Sequence, residues 1–149
     1  MLDFNFIHVL SREMTEKVIN WEADFGIVVN SVKHPDLVII KLCTDIVTIF
    51  YKEGCHNKLI YDPNLAQSQS ILIKIQNSLV NLEGEICSGN IEVISSLTAL
   101  GSGYGVLPSK IAAKYQNLKL LSNAPIFKDK ICLIFWPEKH KNKISQNII

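Results

Sequence analysis

Leu97-Thr98-Ala99-Leu100-Gly101-Ser102-Gly103-Tyr104-Gly105-Val106-Leu107-Pro108 is the stretch that decides the fold class. Upstream of the glycines, Ile91 to Leu100 carries Val93, Ile94, Leu97 and Leu100 at helical spacing and reads as an apolar helix. Gly101 falls where a left-handed C-terminal cap is wanted, and Gly103 and Gly105 carry the loop into Val106-Leu107. Pro108 sits at the first position of a further helix, Ser109 to Tyr115, where proline is best tolerated. The cluster is not a dinucleotide fingerprint: its spacing is G-x-G-x-G, and it follows a helix where the motif needs a strand. It reads as a structural join from helix to strand, built on the backbone freedom of glycine.

Working outward, Phe4 to Val9 reads as a short strand and Ser11 as an N-cap for a helix over Arg12 to Trp21, with Met14, Val18 and Trp21 on one stripe. Ala23 to Val29 is a continuous run, mostly apolar, that suits a strand covered on both faces. Together these predict a βαβ unit with a parallel pair and a right-handed crossover. After the turn His34-Pro35-Asp36, two strands are expected at Leu37–Leu42 and Asp45–Tyr51. Leu59-Ile60-Tyr61 is a third, stopped by Asp62-Pro63-Asn64. Gln67 to Val80 is the longest helical candidate, followed by a brief strand Glu85-Ile86-Cys87 and the turn Ser88-Gly89-Asn90. Leu118–Leu121 and Lys130–Phe135 read as strands, Trp136-Pro137 ends the second, and Ile144 to Ile149 begins a helix. Strands and helices alternate throughout, so the fold class is α/β.

The 149 residues suit one domain of about 100–200 residues. With 48% hydrophobic and 19% charged residues, the chain can bury a core without staples. Fifteen Lys+Arg stand against fourteen Asp+Glu, a net charge of +1, which argues against a protein devoted to phosphate backbone. No apolar run approaches the roughly 18 residues of a membrane span. The N-terminus has an acid, Asp3, where a signal peptide would be basic. Cys43, Cys55, Cys87 and Cys132 are scattered without a C-x-x-C pair and read as reduced thiols of a cytoplasmic domain.

Chemistry is sparse. His8, His34, His56 and His140 lack partners at ligand spacing except for the adjacent Cys55-His56, which reads as a solvated loop, so no metal is expected. G-x-S-x-G is absent, and Glu83 and Glu85 flank a glycine as a solvated corner. Lys139, His140, Lys141 and Lys143 form a basic run without interleaved aromatics, which reads as solvated surface. No catalytic residues and no cofactor are assigned, and the chain is not expected to be an enzyme.

Two segments give the chain a resemblance to the effector-binding domain of LysR-type transcriptional regulators. The first runs from Phe6-Ile7-His8-Val9-Leu10-Ser11 through Trp21-Glu22-Ala23-Asp24-Phe25-Gly26-Ile27-Val28, similar to that family's strand, helix and G-E-L-D-L-G-I-V pattern. Trp21 replaces the usual glycine, while Glu22, Asp24 and Ile27 fit, and Pro35-Asp36-Leu37 leads on into Lys41-Leu42 as in the family's P-D-L…P-L stretch. The second is Leu97 to Pro108, similar to the family's L-V-x-A-G-x-G-[IV]-x-x-L-P.

The resemblance implies a type 2 periplasmic-binding-protein-like fold: two α/β lobes joined by two crossover strands, with an effector cleft between them. Lobe I would hold about 1–44 and 136–149, and lobe II about 45–135. Against the family, the winged helix-turn-helix and the first strand and helix of lobe I are missing, so the chain resembles a truncated domain with its first lobe incomplete. It implies a small-molecule effector, a homodimer or higher homo-oligomer, and DNA binding only through a helix-turn-helix absent from this chain, with no membrane role. By position the ligand-binding candidates are Leu10 and Ser11, Asp62, Pro63 and Asn64, and Val93 and Ile94. Ser11 reads equally as an N-cap, and Asp62 and Asn64 as ordinary turn residues; a metabolite hydrogen-bonded to Ser11 and Asn64 is the sharper expectation. A solute-binding protein of a transporter and an α/β enzyme on the same scaffold are the alternatives.

Overall fold

The computed structural model describes residues 3–75 and 81–138. Its elements are α1 (Ser11–Ile19), β1 (Phe25–Val29), β2 (Val38–Lys52), β3 (Lys58–Tyr61), α2 (Ala66–Ile75), β4 (Gly84–Cys87), α3 (Ile91–Leu100), β5 (Tyr104–Pro108), α4 (Ser109–Ala112), β6 (Leu118–Leu120) and β7 (Phe127–Phe135). The strands hydrogen-bond in the order β1-β7-β2-β5-β3-β4, with β6 beside β2. The chain divides into two compact units, Met1–Thr44 with Asp129–Ile149, and Asp45–Lys128, and both β2 and β7 run through the boundary.

In the first unit, β1 pairs antiparallel with β7, from Phe25 opposite Phe135 to Val29 opposite Ile131. Helix α1 buries Met14 and Val18 against Val28, Leu37, Cys132 and Ile134. Gly26 makes this approach possible: a Cβ there would lie 2.7 Å from Met14 Cγ. The helix ends at Ile19 with Asn20 as its C-cap; the next residue, Trp21, has a left-handed φ of 62°, and its N–H donates to the Val18 carbonyl.

In the second unit, β3 runs parallel to β5 and β4, while β5 and β6 are antiparallel to β2. Successive residues face opposite sides. Leu59, Tyr61 and Val106 join Val47, Ile49 and Ile71 in one cluster with α2, and Ile60 and Leu107 join Ile94 and Ala112 in another with α3 and α4. A sheet covered on both faces explains why these strands read as unbroken apolar runs.

The glycine cluster does three different jobs. Gly101 caps α3 at φ 88°. A Cβ on Gly103 would overlap the Lys58 carbonyl, and one on Gly105 would overlap Thr98 Oγ1. The structural reading of the join holds, and each glycine in it has its own reason.

Several expectations are corrected. Residues 3–10 form no strand, so β1 has no parallel partner there to complete a βαβ unit; Phe6 is 90% exposed and stacks on Phe4. Apolar composition suggested a strand, but a strand exists only through its ladder. Ser11 is the first helical residue rather than the cap: Leu10 is the N-cap, without a side-chain bond, and the Ser11 hydroxyl accepts the Val29 N–H at 2.9 Å. That bond occupies main-chain hydrogen-bonding capacity on β1, the first strand of the order. The two strands expected at Leu37–Leu42 and Asp45–Tyr51 are one, because nothing in Cys43-Thr44 interrupts the extended backbone. Helix α4 stops at Ala112, short of Tyr115. The end of the helix expected to reach Val80, the basic run and the helix expected from Ile144 lie outside the described residues.

Candidate functional site

Ligands of open α/β sheets sit outside the carboxyl ends of parallel strands, where loops enter helix N-termini. In the second unit those ends include Tyr61 of β3 and Cys87 of β4, which lie opposite one another. A Ser88 N–H bond to the Tyr61 carbonyl, 3.1 Å, ties the two exits together. Asp62 to Leu65 then leads into α2, and Ser88 to Asn90 into α3.

The α3 entrance is closed on itself. Ser88 Oγ accepts the Asn90 N–H at 3.2 Å, and Asn90 Oδ1 accepts the Glu92 N–H at 2.9 Å as a helix cap. The α2 entrance is open. Asp62 is buried, and its Oδ1 accepts the Asn64 N–H at 2.9 Å. Its second carboxylate oxygen has no hydrogen-bond partner among the described residues. The first turn of α2 contains no acid. Its third residue, Ser68, is only 2% exposed and lies on the helix face that also carries the buried Ile71.

Beside this entrance the Tyr61 hydroxyl donates to Glu85 Oε2 at 2.8 Å. The Glu85 carboxylate, and then burial, push the Tyr61 phenol well above its ordinary range. The phenol is therefore a held proton donor that fixes Glu85 along the face of the sheet. Among the described residues no group of three or more His, Cys, Asp or Glu side chains could hold a metal ion, and no helix is long and apolar enough to cross a membrane.

The residues expected from sequence fall in both units. Leu10 and Ser11 belong to the first; Leu10 is exposed and Ser11 is half-buried with its oxygen already accepting from Val29. The other five belong to the second. Asp62, Pro63 and Asn64 form the α2 entrance, with Pro63 and Asn64 exposed and the Pro63 carbonyl accepting from Gln69 Nε2 at 2.9 Å. Val93 in the first turn of α3 is exposed, whereas Ile94 is fully buried and clusters with Ile60, Leu107 and Ala112. Ser68, Tyr61 and Glu85 were not singled out. Ser68 had one legible signal: it is the polar residue spaced by three and four from the apolar Ile71 and Leu72.

No family model and no curated protein matches the sequence. Solved structures do match. VV2_1132, a LysR family transcriptional regulator, superposes with a TM-score of 0.73 at 11% identity, over 90% of this chain and 51% of that one. The regulatory domain of HypT from Salmonella typhimurium, in its apo form, gives 0.72 at 12%, over 93% and 75%. Full-length LysG from Corynebacterium glutamicum, with its effector Arg bound, gives 0.66 at 12%, over 86% and 50%. The chain thus spans about half the length of the full-length regulators it matches. At these identities the likeness is one of fold, and the fold is the type 2 periplasmic-binding-protein-like α/β fold of LysR-type regulatory domains.

Proposed function

We propose that the chain is the effector-binding portion of a LysR-type transcriptional regulator, sensing a small polar metabolite without transforming it. The observation that carries this reading is the fold match, which extends over nine-tenths of the chain to a regulator of that family. The open polar groups at the α2 entrance support it, because they stand where sheets of this kind take ligands. A ligand that prefers one conformation of the chain shifts its population, and attached DNA-binding domains read the shift. On this reading the protein works in the cytoplasm as a homo-oligomer and meets DNA only through a separate helix-turn-helix. Asn64, exposed at the α2 entrance, hydrogen-bonds the effector on this reading.

Thermal melting in the presence of a metabolite collection tests the proposal. A true effector at a hundred times its Kd stabilises by about 2.7 kcal/mol, which is a rise of roughly 5–10 °C for a chain of this size. The compound should be recovered unchanged. Turnover of any bound compound would contradict the proposal, as would a collection that leaves the melting temperature unmoved.

A further inference from the structure

We infer that the outer edge of β1 is an interface between two copies of this chain, each receiving as an added strand the Phe4 to His8 segment of the other. The edge follows from the pairing of β1 with β7. The Asn30 N–H donates to the Lys130 carbonyl at 2.8 Å, and along an antiparallel ladder the main-chain groups of successive residues turn alternately toward the partner strand and away from it. Gly26 and Val28 therefore face β7, whereas Phe25, Ile27 and Val29 turn their main-chain groups outward. The bond from the Val29 N–H to Ser11 Oγ has that outward direction. β1 stands at the end of the strand order, and among the described residues no strand pairs with it on the outer side. Exposed edges are ordinarily blunted by a charged residue, a proline or a bulge. Phe25-Gly26-Ile27-Val28-Val29 has no charge or proline, its register on β7 is unbroken, and Ile27 is 67% exposed.

The segment before α1 identifies the occupant. Phe4-Asn5-Phe6-Ile7-His8 has the composition of a strand and contains neither glycine nor proline. It forms no ladder, with β1 of its own chain or elsewhere among the described residues, and Phe4 and Phe6 are 63% and 90% exposed. The edge and the segment each lack what the other supplies, and one chain carries both. The root of the segment is fixed: Val9 packs against the α1 core, and Ser11 holds the Val29 N–H. Each copy thus projects its segment from beside the strand that receives the other, which is the self-complementary arrangement of a two-fold dimer with exchanged elements. Alternation matches the side chains as well. Gly26 and Val28 face α1, so Ile27 and Val29 lie on the other face, where Phe4 and Phe6 of an added strand extend the apolar row while Asn5 and Ile7 turn toward the α1 side. Neither strand carries a carboxylate, lysine or arginine, so main-chain bonds and apolar alternation hold the pair. The inference rests on the homo-oligomer of the reading above, gives it a surface, and does not depend on effector binding.

Sedimentation equilibrium of the 149-residue chain tests this with Phe6→Glu, Ile27→Lys and, as a control outside both strands, Val32→Glu at a position 83% exposed. The wild type and Val32→Glu should be dimers. Phe6→Glu and Ile27→Lys alter exposed side chains and should each be monomers with the wild-type circular dichroism spectrum. An equimolar mixture of these two should recover a heterodimer, because the Ile27→Lys copy offers an intact segment to the intact edge of the Phe6→Glu copy. Direct pairing of one β1 edge with another would instead leave Phe6→Glu dimeric. A dimer that survives Phe6→Glu or Ile27→Lys, or a mixture that stays monomeric, would overturn the inference while the homo-oligomer stands. A wild-type chain that remains a monomer at its highest soluble concentration would overturn both.

Discussion

The indole of Trp21 lies on the indole of Trp136, with ring centroids 4.9 Å apart and planes 8° from parallel. Trp21 holds a left-handed backbone conformation at the end of α1, and the Trp136 Nε1–H donates to the Val18 carbonyl at 2.7 Å. The pair ties the end of α1 to the residue that follows β7. The LysR-type pattern that the sequence resembles has glycine at the position of Trp21, and the observed φ explains why.

Two effects of similar size oppose each other at Trp21. A left-handed conformation costs a non-glycine residue roughly 1–2 kcal/mol, and an aromatic pair gains about 0.5–1.5 kcal/mol beyond its burial. Trp21→Gly should therefore change stability by less than about 1 kcal/mol. Trp136→Ala loses the stack, the bond to Val18 and the packing against the α1 core, and should cost about 3 kcal/mol. Urea denaturation of the two variants measures the asymmetry.

The glycine join makes a second prediction. Neither Gly103 nor Gly105 has a positive φ, so alanine fails at both for lack of space. Gly103→Ala meets the Lys58 main chain, which cannot be trimmed, and should cost at least about 3 kcal/mol. Gly105→Ala meets a side chain, and adding Thr98→Ala should restore part of its loss. A double variant no more stable than Gly105→Ala alone would refute the assignment of that clash.

Asp45 is buried in β2 and accepts from the Ser109 hydroxyl, and more weakly from the Lys110 N–H, at the start of α4. Asp45→Ala removes a charge-assisted bond and should cost about 2 kcal/mol. Because both residues act through one contact, the losses of Asp45→Ala and Ser109→Ala should not add in a double-mutant cycle.

Alkaline stability depends on Tyr61. Its phenol is raised in the folded chain by Glu85 and by burial, while the unfolded group titrates near 10. A group whose folded pKa is raised contributes fully below its unfolded pKa. The contribution is lost as pH climbs above that value toward the folded one. Stability should fall above about pH 10 by at most about 1.4 kcal/mol per pH unit from this group. Tyr61→Phe should shallow the slope without abolishing it, since Tyr104, raised chiefly by burial, also contributes. An unchanged slope in Tyr61→Phe, measured by chemical denaturation from pH 8 to 11, would remove Tyr61 from the account.

Much of this architecture is legible in the sequence because each feature has a local cause. The α3 stripe, the Gly101 cap and the apolar strands of a doubly covered sheet declare themselves by period and composition. What escapes has a partner elsewhere in the chain. Phe4 to Val9 has the composition of a strand but no ladder, and Ser11 spends its hydroxyl on Val29 rather than on its own helix. Gly103 is required by the Lys58 carbonyl and Gly105 by Thr98, and neither contact is visible in a G-x-G-x-G string. At the candidate site, Asp62 and Asn64 can be found as turn residues following a strand. Ser68 cannot be separated from an ordinary helical serine until its burial is known, and the Tyr61–Glu85 pair depends on the parallel pairing of β3 with β4.

The central claim is that this chain binds a small polar effector, and native mass spectrometry after incubation with a total metabolite extract tests it most directly. The account predicts a discrete added mass of metabolite size on the folded chain, released unchanged on denaturation and diminished in Asn64→Ala. A folded chain that emerges bare from every extract, at concentrations where millimolar ligands would be retained, would contradict it.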